Sequence, residues 1–268
     1  TGPRFCSGGR PVLRKGADIV FVLDVSRSMR ARDVLPDRLG QAKLEISSIS
    51  RAVNGGRRAL LLFAAAPLVQ CPLTTDHEAF DALLGMASPD LIEEQGTSFR
   101  SALQLAWRLL EPESDRRMAS GVKGEKIVVL LSDGEDHAGD IRTAVQQLKK
   151  SGVHVFVAGV GMRQPVVIPT GEAVSEVKRD ELGKIVMSSF RPETLQMLAR
   201  DAGGLYYRSR SDHPVYHEVS EKINRIAAAS RWVMEPGDRE PLYRYFLAAG
   251  LLCLLTEIMI GRGGQRRQ

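Results

Sequence analysis

The sequence predicts an α/β fold in which a doubly wound, mostly parallel sheet carries helices on both faces. Residues 19–23 and 127–131 are uninterrupted apolar runs, as expected for strands that are buried on both sides. Such runs alternate along the chain with segments of helical periodicity, which is typical of a parallel sheet. With 268 residues, 43% of them hydrophobic, the chain can bury one principal domain.

The first half of this domain follows from apolar runs and stop signals. A helix is predicted over residues 38–53, because Asn54-Gly55-Gly56 supplies a helix stop. Two short apolar runs, residues 59–64 and 68–73, are separated by a proline and predict antiparallel neighbours at one edge of the sheet.

The second half continues the alternation. Residues 161–189 are polar and broken by prolines, so we expect an irregular loop or a small hairpin there. The remaining strands are predicted at residues 127–131, 153–160 and 205–207, and the remaining helices at residues 77–85, 98–110, 141–150, 192–202 and 213–229.

The segment after Pro241 differs from the rest of the chain. Residues 242–260 form a run in which only Arg244 and Glu257 are charged, and a helix of this length spans about 30 Å. We expect a transmembrane helix, with a buried C-terminal helix as the alternative. The arginines that follow predict a cytoplasmic C-terminus, an inner-membrane location and an extracytoplasmic main domain. The predicted divisions are an N-terminal segment (1–16), the α/β domain (17–229), a membrane-proximal linker (230–241), the span (242–260) and a basic tail (261–268).

Charge and cysteine content exclude several classes of protein. The formal net charge is +5, much of it from arginines near the C-terminus, which is too little to predict nucleic-acid binding. The three cysteines, Cys6, Cys71 and Cys253, lack CxxC spacing, which excludes a zinc ribbon or a thioredoxin motif. A disulfide between Cys6 and Cys71 stays open.

Oxygen-bearing side chains follow the predicted strand ends. Asp24, Ser26 and Ser28 come directly after strand 19–23, Thr97 lies at the start of a helix, and Asp133 follows strand 127–131. In a doubly wound sheet these crossings share one edge. Mg²⁺ prefers about six oxygen ligands and keeps some of its water, so a few carboxylates and hydroxyls suit it. The sequence therefore predicts a Mg²⁺ site, with Mn²⁺ or Ca²⁺ as alternatives, built from Asp24, Ser26, Ser28, Thr97 and Asp133.

The alternative interpretation of these residues is structural. The three hydroxyls would cap helices, and Asp133 would form an Asx turn.

These loops resemble the metal-ion-dependent adhesion site of von Willebrand factor type A domains, over about residues 17–228. Three surrounding stretches are similar to the bacterial Bat aerotolerance membrane proteins, BatA and BatB: Gln70-Cys71-Pro72-Leu73-Thr74, Glu94-Gln95-Gly96-Thr97 and Leu131-Ser132-Asp133-Gly134-Glu135-Asp136.

The resemblance implies that Ser26, Ser28 and Thr97 coordinate the cation, with Asp24 and Asp133 contributing directly or through water. An Asp or Glu of a protein partner would complete the shell, which implies an adhesion or scaffold module and not an enzyme. The Bat resemblance further implies other Bat proteins and a MoxR-type AAA+ ATPase as partners in envelope stress tolerance.

Two enzyme interpretations compete with this one. In a Mg²⁺-dependent phosphotransferase or phosphatase Asp24 would be the nucleophile, but the position of the acid-base Asp two residues later holds Ser26. Gly159-Val160-Gly161 hints at a dinucleotide fingerprint, yet Gln164 occupies the third glycine position. The sequence therefore favours binding over catalysis.

Overall fold

The computed structural model describes residues 12–14, 16–94, 96–111, 124–135, 141–170, 177–179, 182–229 and 232–234. The strands, in chain order, are β1 (Val12–Arg14), β2 (Ala17–Asp24), β3 (Arg57–Phe63), β4 (Pro67–Thr74), β5 (Glu125–Ser132), β6 (His154–Val160), β7 (Val166–Val167), β8 (Met187–Ser188), β9 (Leu205–Ser209) and β10 (Trp232–Met234). The α-helices described here are α1 (Arg38–Ala52), α2 (His77–Gly85), α3 (Phe99–Leu110), α4 (Arg142–Lys150), α5 (Pro192–Ala202) and α6 (Tyr216–Ala229).

The main sheet has six strands in the order β4-β3-β2-β5-β6-β9. Every neighbouring pair is parallel except β3 and β4, which are antiparallel at one edge. The doubly wound, mostly parallel sheet and its antiparallel edge pair are therefore confirmed. The six strands begin and end within two residues of the predicted positions.

The central strand β2 shows how the sheet forms its two cores. Successive side chains of a strand point to opposite faces. Phe21 and Leu23 accordingly pack in the core that contains α1, α2 and α6. Val20 and Val22 pack in the other core, which contains α3, α4 and α5. The sheet is thus covered by helices on both faces, as the uninterrupted apolar run predicts.

The chain order creates a crevice at the carboxyl ends of β2 and β5. After β2 the chain adds β3 and β4 on one side, and after α3 it returns to add β5, β6 and β9 on the other. Ligands of open α/β sheets bind where the strand order reverses in this way. Asp24 ends β2 and Asp133 directly follows β5, so both lie at this crevice.

The last helix differs from its prediction. Residues 213–229 were predicted to be helical, but α6 begins at Tyr216. His213 instead lies in a turn, where it exchanges backbone hydrogen bonds with Arg210. The physical reason is Pro214, which disfavours helical backbone at the preceding residue. His213 and His217 therefore do not share a helix face.

Residues 161–189 contain a small antiparallel element, which the sequence predicts as an irregular loop or hairpin. β7 pairs with β8, and isolated bridges join Pro169 to Val177 and Arg179 to Ile185. We call the described residues between 166 and 188 the β7–β8 hairpin.

The predicted membrane span (242–260), the basic tail and Cys6 lie outside the described residues. Within the described ranges, no helix combines the length and apolar character needed to cross a membrane. β1 and β10 pair in a separate two-stranded sheet. β10 (Trp232–Met234) lies inside residues 230–241, which are predicted as a linker. Cys71 is a buried, free cysteine.

Candidate metal centre

The Asp24 side chain is held at the crevice by hydrogen bonds from the loop that follows it and from the end of β5. It is fully buried, and its Oδ1 accepts a hydrogen bond from the backbone N–H of Ser26 at 2.9 Å. Its Oδ2 accepts one from the hydroxyl of Ser132 at 2.6 Å. Because Ser132 ends β5, this bond ties together the carboxyl ends of the two central strands.

Ser26 and Ser28 bring two hydroxyls to the mouth of the crevice. Ser26 precedes a one-turn 3-10 helix, Arg27–Arg30, and its side chain makes no capping hydrogen bond to that helix. The hydroxyl oxygens of Ser26 and Ser28 are 2.9 Å apart. In an octahedron with metal–oxygen distances of about 2.1 Å, adjacent oxygens are about 3.0 Å apart. The pair is therefore spaced like two neighbouring metal ligands.

Thr97 reaches the same place from the other side of β2. The loop before α3 is tied to the end of β3, because the Ser98 N–H donates to the Ala64 carbonyl at 2.9 Å. The cap of α3 is Ser98, whose hydroxyl accepts from the Ser101 N–H, so Thr97 is not the capping residue. Thr97, Ser26 and Ser28 line one cleft of about 320 Å³. The structure thus brings the three predicted hydroxyls together.

Asp133, directly after β5, is fully buried and is paired with a buried arginine. Its Oδ1 accepts from the Glu135 N–H at 3.1 Å, and its Oδ2 accepts from Arg38 Nη1 at 2.9 Å. The Arg38 guanidinium also makes two hydrogen bonds to Asp33, at 2.9 and 2.8 Å, and one to the Ser188 hydroxyl at 2.7 Å. Arg38 therefore connects Asp33, Asp133 and the β7–β8 hairpin in one hydrogen-bond network.

The two buried carboxylates of the site differ in how their charge is balanced. Burial, followed by the charge of Asp133, raises the pKa of Asp24 to about 7, although hydrogen bonds from Ser132 and Ser26 oppose the rise. Burial also raises the pKa of Asp133, although the Arg38 cation opposes that shift. No basic side chain among the described residues forms an ion pair with Asp24. A cation bound in the cleft would balance this charge, so the donor set fits a divalent metal.

The arrangement relies on two carboxylates and three hydroxyls. Within the described part of the chain, no three or more His, Cys, Asp or Glu side chains cluster in a way that would hold a metal ion. Both Asp24 and Asp133 also accept the backbone N–H two residues later, so the predicted Asx turn is present at Asp133. Metal coordination by the five residues stays a prediction.

Sequence reasoning missed Arg38 and its partners. Burial lowers the pKa of Arg38, but the ion pairs with Asp33 and Asp133 outweigh it and leave that pKa above its usual value. A signal was present, because Arg38 is the first residue of α1, where a cation faces the positive end of the helix dipole. Such a placement indicates a specific anionic partner.

Two glycines make this packing possible. Gly134 has φ +84°, and a Cβ there would lie 2.1 Å from the Arg191 carbonyl oxygen. Gly161 has φ +134°, and a Cβ there would lie 2.9 Å from Arg38 Nε. The second glycine of the Gly159-Val160-Gly161 pattern therefore makes room for the buried guanidinium, which is a packing reason for it and not a nucleotide-binding one.

The sheet order, the crevice and the hydroxyl cluster define a class of α/β domain. The chain belongs to the von Willebrand factor type A domain family, whose model matches residues 18–198.

Two solved structures show which members of this family the chain is similar to. The solved structure of the conserved hypothetical protein BatB from Bacteroides thetaiotaomicron is 29% identical with a TM-score of 0.73, covering 80% of this chain and 100% of that one. An aerotolerance-related membrane protein from Bacteroides fragilis is also 29% identical, with a TM-score of 0.70, covering 80% of this chain and 99% of that one. The predicted resemblance to Bat proteins is confirmed.

A curated relative, a UPF0353 protein from Mycolicibacterium paratuberculosis, is 29% identical over 84% of this chain. The chain spans 64% of the length of that relative.

Proposed function

We propose that this protein is a metal-dependent protein-binding module. Ser26, Ser28 and Thr97 would coordinate Mg²⁺, with Mn²⁺ or Ca²⁺ as alternatives, and Asp24 and Asp133 would hold the ion directly or through water. The observation that carries the proposal is that Ser26, Ser28 and Thr97 line one cleft, while two buried carboxylates are tied to the same serines. Asp24 accepts a hydrogen bond from the Ser26 N–H, and Asp133 accepts one from the Ser28 side chain. One of those carboxylates, Asp24, has its pKa raised to about 7 by burial and by the charge of Asp133.

Each protein group has a definable task in this site. The hydrogen bond from Ser132 fixes the Asp24 carboxylate, and Arg38 fixes that of Asp133. The hydroxyls of Ser26 and Ser28 present their oxygens at the spacing of adjacent ligands. When bound, the metal would offer an open coordination position to an Asp or Glu of a partner protein. Such a contact holds two proteins together without breaking a bond.

The geometry gives little support to the phosphotransferase alternative. A nucleophilic Asp24 would have to reach a phosphorus atom, yet it is fully buried and both of its oxygens accept hydrogen bonds. Ser26, in the position of the acid-base residue, cannot exchange a proton near neutral pH as a carboxylate can. We therefore propose a binding protein and not an enzyme.

Similarity to the aerotolerance-related membrane protein from Bacteroides fragilis supports a membrane setting for this module. We propose an inner-membrane protein anchored by residues 242–260, with the α/β domain outside the cytoplasm and the C-terminus inside. Its partners would include other Bat proteins and a MoxR-type ATPase system in an envelope stress or aerotolerance complex. Truncation at Pro241 tests the anchor, because the shortened protein should no longer fractionate with lipid.

Calorimetric titration with Mg²⁺ tests the site. We expect Ser26→Ala to weaken Mg²⁺ binding by at least about tenfold, because it removes a ligand. Ser47→Ala is a matched control: Ser47 lies on α1 and bonds to Asp81, away from the cleft. Equal Mg²⁺ affinity in the wild type and Ser26→Ala would defeat the assignment.

Crosslinking in intact membranes tests partner binding. A partner recovered with the wild type should be lost with Ser26→Ala and after chelation of divalent metals. Phosphatase turnover that disappears in Asp24→Asn would instead support the enzyme alternative.

A further inference from the structure

Three basic side chains line the cleft of the candidate metal site. They are Arg27, Lys178 and Arg191. None of them forms an ion pair with another side chain in the described part of the chain. The acidic lining residue, Glu135, is already engaged, because its Oε1 accepts from the Ser188 hydroxyl at 3.2 Å and the Ser189 N–H at 2.9 Å. Among the described residues, the lining of this cleft therefore carries positive charge that no described acidic side chain pairs.

Lys178 is held in place by the backbone of the β7–β8 hairpin. Its N–H donates to the Ile168 carbonyl at 2.9 Å, and its carbonyl accepts from the Val186 N–H at 2.8 Å. The hairpin is in turn anchored to the site, because the Ser188 hydroxyl bonds to Arg38 at 2.7 Å. The lysine thus begins from a fixed position beside the predicted ligands.

The other two basic residues, Arg27 and Arg191, are positioned by the loops that carry the predicted metal ligands. Arg27 lies between Ser26 and Ser28 in the chain. The Arg191 N–H donates to the Asp133 carbonyl at 2.8 Å, which fixes the backbone of Arg191 against the loop that follows β5. Three different segments therefore direct a cation to one cleft.

We propose that this cleft recognises an acidic peptide segment of a partner protein, with one carboxylate at the metal and at least one more at the basic side chains. The inference rests on the proposed function, since it places the first carboxylate at the cation. Attraction of several carboxylates to these cations gives specificity for a multiply acidic segment over an isolated acid.

The rest of the lining favours a peptide over a nucleic acid. Met187 lines the cleft and is 52% exposed, so it offers apolar surface to the aliphatic parts of a peptide. The described lining residues include no aromatic ring on which a base could stack.

The test compares two synthetic peptides on the full chain in saturating Mg²⁺. One peptide carries a single Asp among neutral residues, and the other carries the same Asp with two Glu beside it. We expect the triply acidic peptide to bind more tightly, with an advantage that shrinks as salt is added. Lys178→Gln should weaken binding of the triply acidic peptide by about three- to fivefold, and should weaken binding of the single-Asp peptide by a smaller factor. Lys150→Gln, at the exposed end of α4, is the matched control and should change neither.

Each remaining outcome decides one proposal. Equal affinity for the two peptides, or an equal effect of Lys150→Gln, overturns the multiply acidic specificity and leaves the metal site standing. The preference for the triply acidic peptide could instead persist after Mg²⁺ is chelated and in Ser26→Ala. That result supports the basic cleft and overturns the metal-dependent function. Displacement of the peptide by inorganic phosphate or a single-stranded oligonucleotide at similar concentrations overturns peptide recognition.

Discussion

Replacing Arg38 by methionine tests how the buried charges of the site are balanced. Methionine keeps much of the side-chain volume but removes the ion pairs to Asp33 and Asp133, at 2.8 and 2.9 Å. Breaking a buried pair by removing one partner costs about 3–5 kcal/mol, because the other charge stays buried and uncompensated. For a domain of this size that loss lowers the Tm by about 6–20 °C.

The cost of this substitution should depend on pH and on metal. Burial already raises the pKa of Asp133 while Arg38 opposes the shift, so in Arg38→Met the carboxylate can take up a proton. Protonation relieves the unpaired charge, and the loss of stability should therefore be smaller near pH 5 than near pH 8. Saturating Mg²⁺ should recover part of the loss, because a cation in the cleft replaces some of the missing positive charge.

Urea denaturation followed by circular dichroism measures the free energy of unfolding. Arg51→Met is the control, since Arg51 pairs with Asp81 on the surface and its side chain is 70% exposed. That exposed pair should contribute less than about 1 kcal/mol. A loss in Arg38→Met no larger than in the control would refute the reasoning.

Three further outcomes are expected. Because burial raises the folded-state pKa of Asp24 from 3.8 to about 7, its contribution to the stability of the metal-free protein is fully present below about pH 4 and is lost as pH rises through about 7. Mg²⁺ requires the ionised form, so the Mg²⁺-induced rise in Tm should grow between about pH 5 and 8, and thermal shift assays should show a flatter profile for Asp24→Asn. Gly134→Ala should destabilise the domain by more than about 2 kcal/mol in urea denaturation and weaken Mg²⁺ binding, because the new Cβ would lie 2.1 Å from the Arg191 carbonyl oxygen; wild-type stability would count against this. Asp37→Ala removes the N-cap of α1 and should cost about 1 kcal/mol by the same assay, and a change in Mg²⁺ affinity would contradict the separation of cap and site.

The fold was accessible from the sequence because its signals are local. Uninterrupted apolar runs and helical periodicity depend on the chain alone, and most predicted helices begin and end within one residue of the observed ones. The predicted start of the last helix, residue 213, was wrong. Pro214 disfavours helical backbone at His213, and the prediction did not take this into account.

The site was accessible only where its residues follow strand ends. Asp24 and Asp133 could be placed at one edge from the order of strands, and the structure puts them there. Arg38 could not, because its role depends on contacts with Asp133 and Ser188, 95 and 150 residues away in the chain. Lys178 could not be placed at the site either, because the β7–β8 hairpin that positions it has little sequence signal.

The most direct test of the account is a crystal structure of the protein grown with Mn²⁺, with anomalous diffraction used to locate the ion. We predict one anomalous peak in the cleft, about 2.1–2.2 Å from the hydroxyl oxygens of Ser26, Ser28 and Thr97. The peak should be absent from crystals of Ser26→Ala grown in the same way. A manganese ion bound elsewhere, with these three hydroxyls in contact only with water or protein, would contradict the account.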